Sequence, residues 1–506
     1  MTRARRPLGP SEAEQLRAAL EQLTGGEDVE VWEDGHRLPG LPAPRFELRG
    51  DGRWVLHIWS QDRSLVRPVA ALLELSADRI RLAVERLGRS RLSRLEIIRQ
   101  ERTPRRARQD REQFLGRLQW MLRQQFPDEQ LQGLTMAADL EHSLPDSYAR
   151  GWTVRGRQAW AVVAVPWGAG TQTAEGSLTV ALVWHRQLRM RLEVPVLGVR
   201  LVVPPGCEAT VAHRAAALRP DVEFELYCWS PDEATAREVD LRDRGNRLSR
   251  LMAASESAGL LAQVRSLDTL LRSLAPEAIT VAALPASGEV VWRFRGLEFA
   301  CWRSGQLWFG LGPQRQLLTE GNWSSLAALV HELATHRVPR PPDRHHPFYR
   351  AARERWLESV VMADPARIDP RLDPQRLYSQ VLLLAGGERG RVDLLGVRRD
   401  GRLAVLELKA DESFHLVLQA VDYWLHVRRH QLEGDLERLG YLPVGAPLAP
   451  PVLYLVAPAL RFHPQTETLL QYLLPEIPVC QVGINESWRE GLDVVWRRWR
   501  GGHEAG

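Results

Sequence analysis

Apolar and polar positions follow two periods along this chain, and the switches between them divide it. From Tyr349 onward the text "YRAARERWLESVVMADP" carries Trp356, Leu357, Val360 and Val361 at helical spacing. A loop rich in Asp and Pro follows ("ARIDPRLDPQ"), and then a strand ("RLYSQVLLLAG"). Two apolar runs about an Asp-Gly turn come next, "GRVDLLGVRRDGRLAVLELKA" from Gly390 to Ala410, and predict a β-hairpin. Beyond it lie a helix ("ESFHLVLQAVDYWLHVRRH"), a buried strand ("PPVLYLVAP"), a helix around "TETLLQYLL" and a short strand ("IPVCQVGI"). The alternation predicts one α/β domain over residues 347–506, a mixed central β-sheet flanked by helices. Just before it, Pro, Arg and His displace apolar periodicity in "HRVPRPPDRHHPFYR", which marks a linker at 337–346.

Residues 104–245 repeat this order. With Arg111 laid on Arg353, "DREQFLGRLQWML" matches "ARERWLESVVMAD", and "ARGWTVRGRQAWAVVAV" matches "VDLLGVRRDGRLAVLEL" without a gap. Trp184 falls on Trp424, and the offset stays between 240 and 255 positions throughout. The pattern reads as an internal duplication. In it Glu358 falls on Gly116, Asp393 on Arg150, Glu407 on Ala164 and Lys409 on Pro166. Gln419 falls on Thr179 and Tyr423 on Val183, so the first copy keeps the scaffold pattern and loses the polar set. Two further stretches, 1–103 and 246–336, alternate like antiparallel strands with some helical text and read as α+β accessory modules.

The hairpin carries three charges inside otherwise apolar runs, and register decides whether they meet. A two-residue Asp400-Gly401 loop would set Asp393 opposite Leu408, facing away from Glu407 and Lys409. A three-residue loop, Arg399-Asp400-Gly401, sets Asp393 opposite Glu407 and supplies glycine at the left-handed third position. Glu407 and Lys409 then share one strand face with Asp393. Two carboxylates held together repel, and one takes up a proton unless a cation joins them. A hard divalent ion suits such oxygens.

Composition sharpens this picture at one position. The hydrophobic share of 44% and charged share of 26% are those of a globular protein. Of the 67 basic residues 66 are arginine, and the single lysine is Lys409. Lysine differs from arginine as a compact point charge whose pKa moves readily, so this position calls for an ammonium. The net charge of +4 suits a polyanion partner without requiring one. Four separated cysteines argue against a disulfide framework or a zinc-thiolate site. No apolar run approaches a membrane span and no signal peptide is read, so a cytoplasmic location without membrane contact is expected.

Asp, then a hairpin, then Glu-x-Lys, with a glutamate on the preceding helix, resembles the PD-(D/E)xK nuclease superfamily. The "QAVDY" of the next helix resembles the Gln-x-x-x-Tyr motif of RecB-like members. The resemblance covers about 347–485, and Val392 stands where the family pattern has proline. It implies a restriction-endonuclease-like fold and a metal-dependent nuclease, with DNA a more natural substrate than RNA. One or two Mg²⁺ (or Mn²⁺) ions would be held by Asp393, Glu407 and the carbonyl of Leu408. Lys409 would be the catalytic lysine and Glu358 the helix acid, with Gln419 and Tyr423 lining the cleft.

Blander readings stand beside these. The hairpin charges fit an exposed, ion-paired strand face, Glu358 a solvated helix acid, and Gln419 with Tyr423 ordinary helix packing. A non-catalytic nucleic-acid-binding or assembly protein that retains the fold is the alternative function, and a homodimer is left open. Arg105, Arg106 and Arg108 in "RTPRRARQDR" fit a nucleic-acid contact and equally a solvated helix start. "HELATH" is no zinc-protease motif, because His331 and His336 are five apart and diverge on a helix.

Overall fold

The computed structural model describes residues 10–501 except 25–28, 35, 39–40, 42–43, 51–53, 60–63, 77–78, 86–91, 100–103, 168, 170, 243–248, 251–252, 285–286, 312–314 and 386–387. The chain is mixed α/β with four sheets. A seven-stranded antiparallel sheet fills Val29–Arg99, with a helix (Pro10–Leu23) packed on it through Leu16 and Leu20. A five-stranded antiparallel meander spans Ile279–Leu317 and leads into the helix Trp323–His336.

The other two sheets follow one scheme. The first α/β unit comprises helix α1 (Pro104–Gln125), strands β1 (Gln130–Thr135), β2 (Ala149–Arg155) and β3 (Gln158–Ala164), and helix α2 (Thr171–Arg191). Strand β4 (Val196–Val203), helix α3 (Glu208–Ala215), strand β5 (Glu223–Cys228) and strand β6 (Arg237–Glu238) complete it. The second unit comprises α4 (Arg353–Ala363), β7 (Leu372–Ala385), β8 (Glu388–Arg398), β9 (Leu403–Leu408) and α5 (Leu416–Leu432). It ends with β10 (Val452–Pro458), α6 (Thr466–Gln471), β11 (Val479–Ile484) and β12 (Val494–Arg500). In each sheet three antiparallel strands come first, two parallel ones follow through helical crossovers, and an antiparallel edge strand closes the order. A two-residue strand at Ser249–Arg250 extends the second sheet at its β7 edge.

The central strands read as continuous apolar runs because helices or neighbouring chain cover both faces. All six residues of β9, "LAVLEL", are buried, Glu407 among them. Alternation sends Leu403 and Val405 into the core under α5, and Ala404, Leu406 and Leu408 into the core under α4.

One apolar core runs through both units, from Val163, Leu178 and Val211 to Val405, Val417 and Leu470. Contacts across it are reciprocal: α3 packs on α5, and α2 packs on α6. Leu218 forms an isolated bridge with Leu473. Arg219 N–H donates to the Tyr472 carbonyl at 2.9 Å, and Leu474 N–H donates to the Ala217 carbonyl at 2.8 Å.

Two expectations change here. The first unit's hairpin pairs Arg155 with Gln158, so its loop is the two-residue Gly156-Arg157, with Gly156 at φ +58°. The gap-free alignment of the two hairpins therefore fails by one residue. Arg150 faces Val163, and Val163 and Val165, not Ala164 and Pro166, hold the places of Glu407 and Lys409. The proposed linker begins on a buried anchor, because the Arg337 guanidinium donates to the carbonyls of Phe294, Arg295, Phe348, Ala351 and Ala352. Periodicity does not register such a residue because its partners are backbone. In the edge strand β12, Arg497 donates to the Ile368 and Arg367 carbonyls and Arg498 pairs with Glu467, so these arginines fasten the edge to the unit.

Candidate active site

The hairpin β8–β9 closes through Arg399-Asp400-Gly401: Arg398 N–H donates to the Arg402 carbonyl at 2.7 Å, and Gly401 has φ +81°. Leu394 pairs with Leu406, and the same register one step outward sets Asp393 across from Glu407. This is the three-residue loop, and it turns Asp393, Glu407 and Lys409 to one face. Asp393 Oδ2 accepts from Leu408 N–H at 3.1 Å. In an extended strand a residue's N–H and C=O point the same way, so the Leu408 carbonyl is also directed toward Asp393. The other strand neighbour is bonded through Lys409 N–H, which donates to the Val456 carbonyl at 2.9 Å.

Electrostatics set this cluster apart from a surface ion pair. Glu407 is 1% exposed, and its Oε2 is buried without a hydrogen-bond partner. Its Oε1 lies 3.0 Å from Lys409 Nζ. Burial first, then the Asp393 carboxylate, pushes the Glu407 carboxyl up to about 8 against the pull of Lys409. Burial also raises Asp393. For Lys409 burial opposes the ammonium, but Glu407, Glu354 and Asp393 outweigh it and hold the amine above the usual lysine value. The site thus carries more carboxylate than its single ammonium can balance.

The other expected residues come to the same place in different ways. Tyr423, on α5, feels the Glu407 and Asp393 carboxylates and bonds to Gln419; burial first, then Glu407, raises its phenol strongly. Glu358 is buried on α4 and feels Asp393, and burial raises its carboxyl. Its oxygens are engaged by Arg355 at 2.9 Å and by the Ser379 hydroxyl. Glu354, one helical turn earlier, reaches within 3.8 Å of Lys409 Nζ. The sequence reading missed Glu354, although its i, i+4 spacing from Glu358 puts both on one face of α4.

A cleft of about 290 Å³ opens beside Asp393, lined by Arg350, Ala352, Arg353, Glu354, Arg355 and Asp411. These arginines were also missed, since among 66 arginines they carry no signal. Arg353 pairs with Asp411 at 2.8 Å. Of the arginines expected to contact nucleic acid, Arg108 pairs with Glu112 at 2.8 Å on α1 of the first unit. Arg105 and Arg106 lie on the first turn of that helix, and their side chains fall outside the described residues. In "HELATH", the His336 ring stacks on His346 with centroids 3.8 Å apart.

The first unit holds no such cluster at its own hairpin. Arg150, in the place of Asp393, is buried and donates to the carbonyls of Pro145 and Ala137. Val163 and Val165 beside it are buried apolar side chains. No protein-family model matches the chain, and no curated protein matches it.

The donor set on β8 and β9 is all oxygen: two carboxylates, one of them with a buried open oxygen, and a backbone carbonyl. That is the chemistry of a hard divalent cation and not of a thiolate- or imidazole-seeking metal. Asp393, Glu407 and the Leu408 carbonyl fit such an ion.

Proposed function

We propose that the chain is a Mg²⁺-dependent nuclease of the PD-(D/E)xK type that hydrolyses phosphodiester bonds in DNA. In this reading the second α/β unit is a restriction-endonuclease-like domain and the first is a degenerate copy of it. The single observation that carries the proposal is the buried Glu407 oxygen without a hydrogen-bond partner, in a carboxyl that feels Asp393 and sits beside the chain's only lysine. A purely structural strand would not keep an acid there, since burying it beside a second carboxyl costs several kcal/mol, the cost that raises Glu407 to about 8 despite Lys409.

Asp393, Glu407 and the Leu408 carbonyl would hold the ion. When bound it polarises the phosphodiester and lowers the pKa of an attacking water. Lys409, kept charged by its carboxylate neighbours, orients that water and stabilises charge developing on the phosphoryl oxygens. Glu354, 3.8 Å from the ammonium, adds a second carboxyl that favours its charged form. Tyr423, bonded to Gln419, stands on the α5 side of the acid pair and feels both carboxylates, while the cleft itself is lined from the α4 side. Arg350, Arg353 and Arg355 supply positive charge at its mouth for a phosphate backbone.

The duplication rests on the shared order of strand pairings and on the reciprocal contacts about Leu218 and Leu473. In the degenerate copy Arg150 takes the strand position of Asp393 and its guanidinium is bound by the Pro145 and Ala137 carbonyls, so that hairpin needs no metal.

The purified chain with Mg²⁺ or Mn²⁺ should cut linear, single-stranded or branched DNA, and Lys409→Ala should abolish cutting. Cutting that survives both Lys409→Ala and Asp393→Ala would overturn the assignment. Retention of DNA without cleavage in any metal would favour a non-catalytic binding protein instead.

A further inference from the structure

The core between the two α/β units contains a polar cluster that the nuclease reading does not use. His213 on α3 comes from the first unit, and Asp422 and His426 on α5 come from the second. Both histidines are buried, and the Asp422 side chain is 14% exposed. One ligand atom from each of the three lies within 4.8 Å of the others. His213 Nε2 is 3.7 Å from Asp422 Oδ1, and the two imidazole rings have centroids 4.4 Å apart at a 30° tilt.

We propose that His213, Asp422 and His426 bind a borderline transition-metal ion, Zn²⁺ in the first instance, which ties the two units together. Asp422 and His426 are four apart, so both project from one face of α5 toward α3. Two imidazoles and one carboxylate match zinc and its neighbours, whereas Mg²⁺ prefers oxygen alone. Ligands about 2 Å from a tetrahedral ion are about 3.3 Å from each other, so the His213–Asp422 pair at 3.7 Å is nearly in place, and side-chain rotation must draw the set in from within 4.8 Å. The carboxylate is already oriented: Arg214 Nη2 lies 3.5 Å from Asp422 Oδ2, which leaves Oδ1 toward His213. Arg214 is itself fixed by donating to the Glu175 carbonyl at 2.7 Å. Such outer hydrogen bonds aim a metal ligand. The start of α5 is also held close to another helix of the first unit, since a Cβ at Gly176 on α2 would meet His415, the residue before α5, at 2.6 Å. The site stands independently of the nuclease reading.

The test uses the full chain in an Asp393→Asn/Glu407→Gln background, so that the acidic hairpin does not hold the ion. After chelation and dialysis against Zn²⁺, elemental analysis should find one ion per chain. The ion should be lost on adding His213→Ala or His426→Ala, with folding checked by circular dichroism, and retained with His430→Ala. The neighbouring cluster of His430, Glu433 and Asp435 makes that last variant the control. Should either test variant misfold, Co²⁺ binding to the background chain gives the second readout: ligand-field absorption that Zn²⁺ displaces. No bound Zn²⁺ and no Co²⁺ absorption, or loss that follows His430→Ala instead, overturns the proposal.

Discussion

Lys409 Nζ lies 3.0 Å from Glu407 Oε1, two residues away on one strand face, while the second oxygen of that carboxylate is buried and open. The ammonium therefore engages one oxygen of an acid whose other oxygen is left without a hydrogen bond while Asp393 acts on it through space. A guanidinium is wider and planar, and its charge is spread over three nitrogens. Lys409→Arg keeps the charge but not the shape, so DNA cleavage should fall about 100-fold or more, close to the loss from Lys409→Ala. Steady-state cleavage rates of the two variants check this. An arginine variant near wild-type rate would show that charge alone suffices.

Glu407 makes the metal-free chain sensitive to alkali. Its carboxyl is raised from 4.5 to about 8 by burial and Asp393, so the folded state binds its proton more tightly than the unfolded state does. Stability from that proton is fully present below 4.5 and is lost as pH rises through about 8, by up to roughly 5 kcal/mol. Urea unfolding with chelator present should show this decline, and Glu407→Gln should flatten it. Mg²⁺ at pH 8 should restore stability to the parent chain but not to the variant.

Arg337 supplies a test of the joint between the meander and α4. Its guanidinium is wholly buried, donates to five carbonyls and stacks over Trp356, with the ring centroid at 4.7 Å. Burial pulls its pKa down to about 9. Arg337→Met removes every one of these donors and should cost about 3 kcal/mol or more. Chemical unfolding monitored by tryptophan fluorescence measures it. Cleavage should fall as well, because two of the carbonyls, Ala351 and Ala352, lead directly into the helix that carries Glu354.

Acid should loosen the contact between the α/β units. His185 bonds Tyr472 OH at 2.7 Å and His415 bonds Thr179 Oγ1 at 3.2 Å, each across that contact. Burial holds both imidazoles neutral, with pKa values lowered from 6.5 to about 4. A lowered folded pKa means the unfolded chain takes the proton first. The stability is therefore present above 6.5 and lost as pH falls through about 4, by up to roughly 3 kcal/mol per histidine. Unfolding midpoints between pH 7 and 4 should drop steeply in the parent chain and less in a His185→Gln/His415→Gln variant.

Much of the second unit was legible because its signals are local. The Arg399-Asp400-Gly401 loop fixes the register of β8 on β9, and register fixes which side chains meet. The lone lysine marked the site by composition alone. What remained hidden depends on long-range packing or on backbone partners. Arg337 looked like linker text because carbonyls leave no trace in a sequence. Glu354 and the arginines of the cleft looked like any helix start until α4 was docked beside β9. The one-residue difference between the two hairpin loops was masked by apolar text that matches in either register.

Only one of the two α/β units carries the acid and lysine set, and this bears on how many strands are cut. The helical faces α2, α3, α5 and α6 are spent on the contact between the units, so a second chain cannot pair through them. In the nuclease reading each chain then delivers one set to one strand per encounter. Supercoiled circular DNA should turn first into open circles, with linear molecules following only after a lag as second nicks fall opposite earlier ones. A gel time course separates the two products. Linear DNA that forms at the initial rate of nicking would mean that two chains act together through some other face, and the count of one site per acting particle would be wrong.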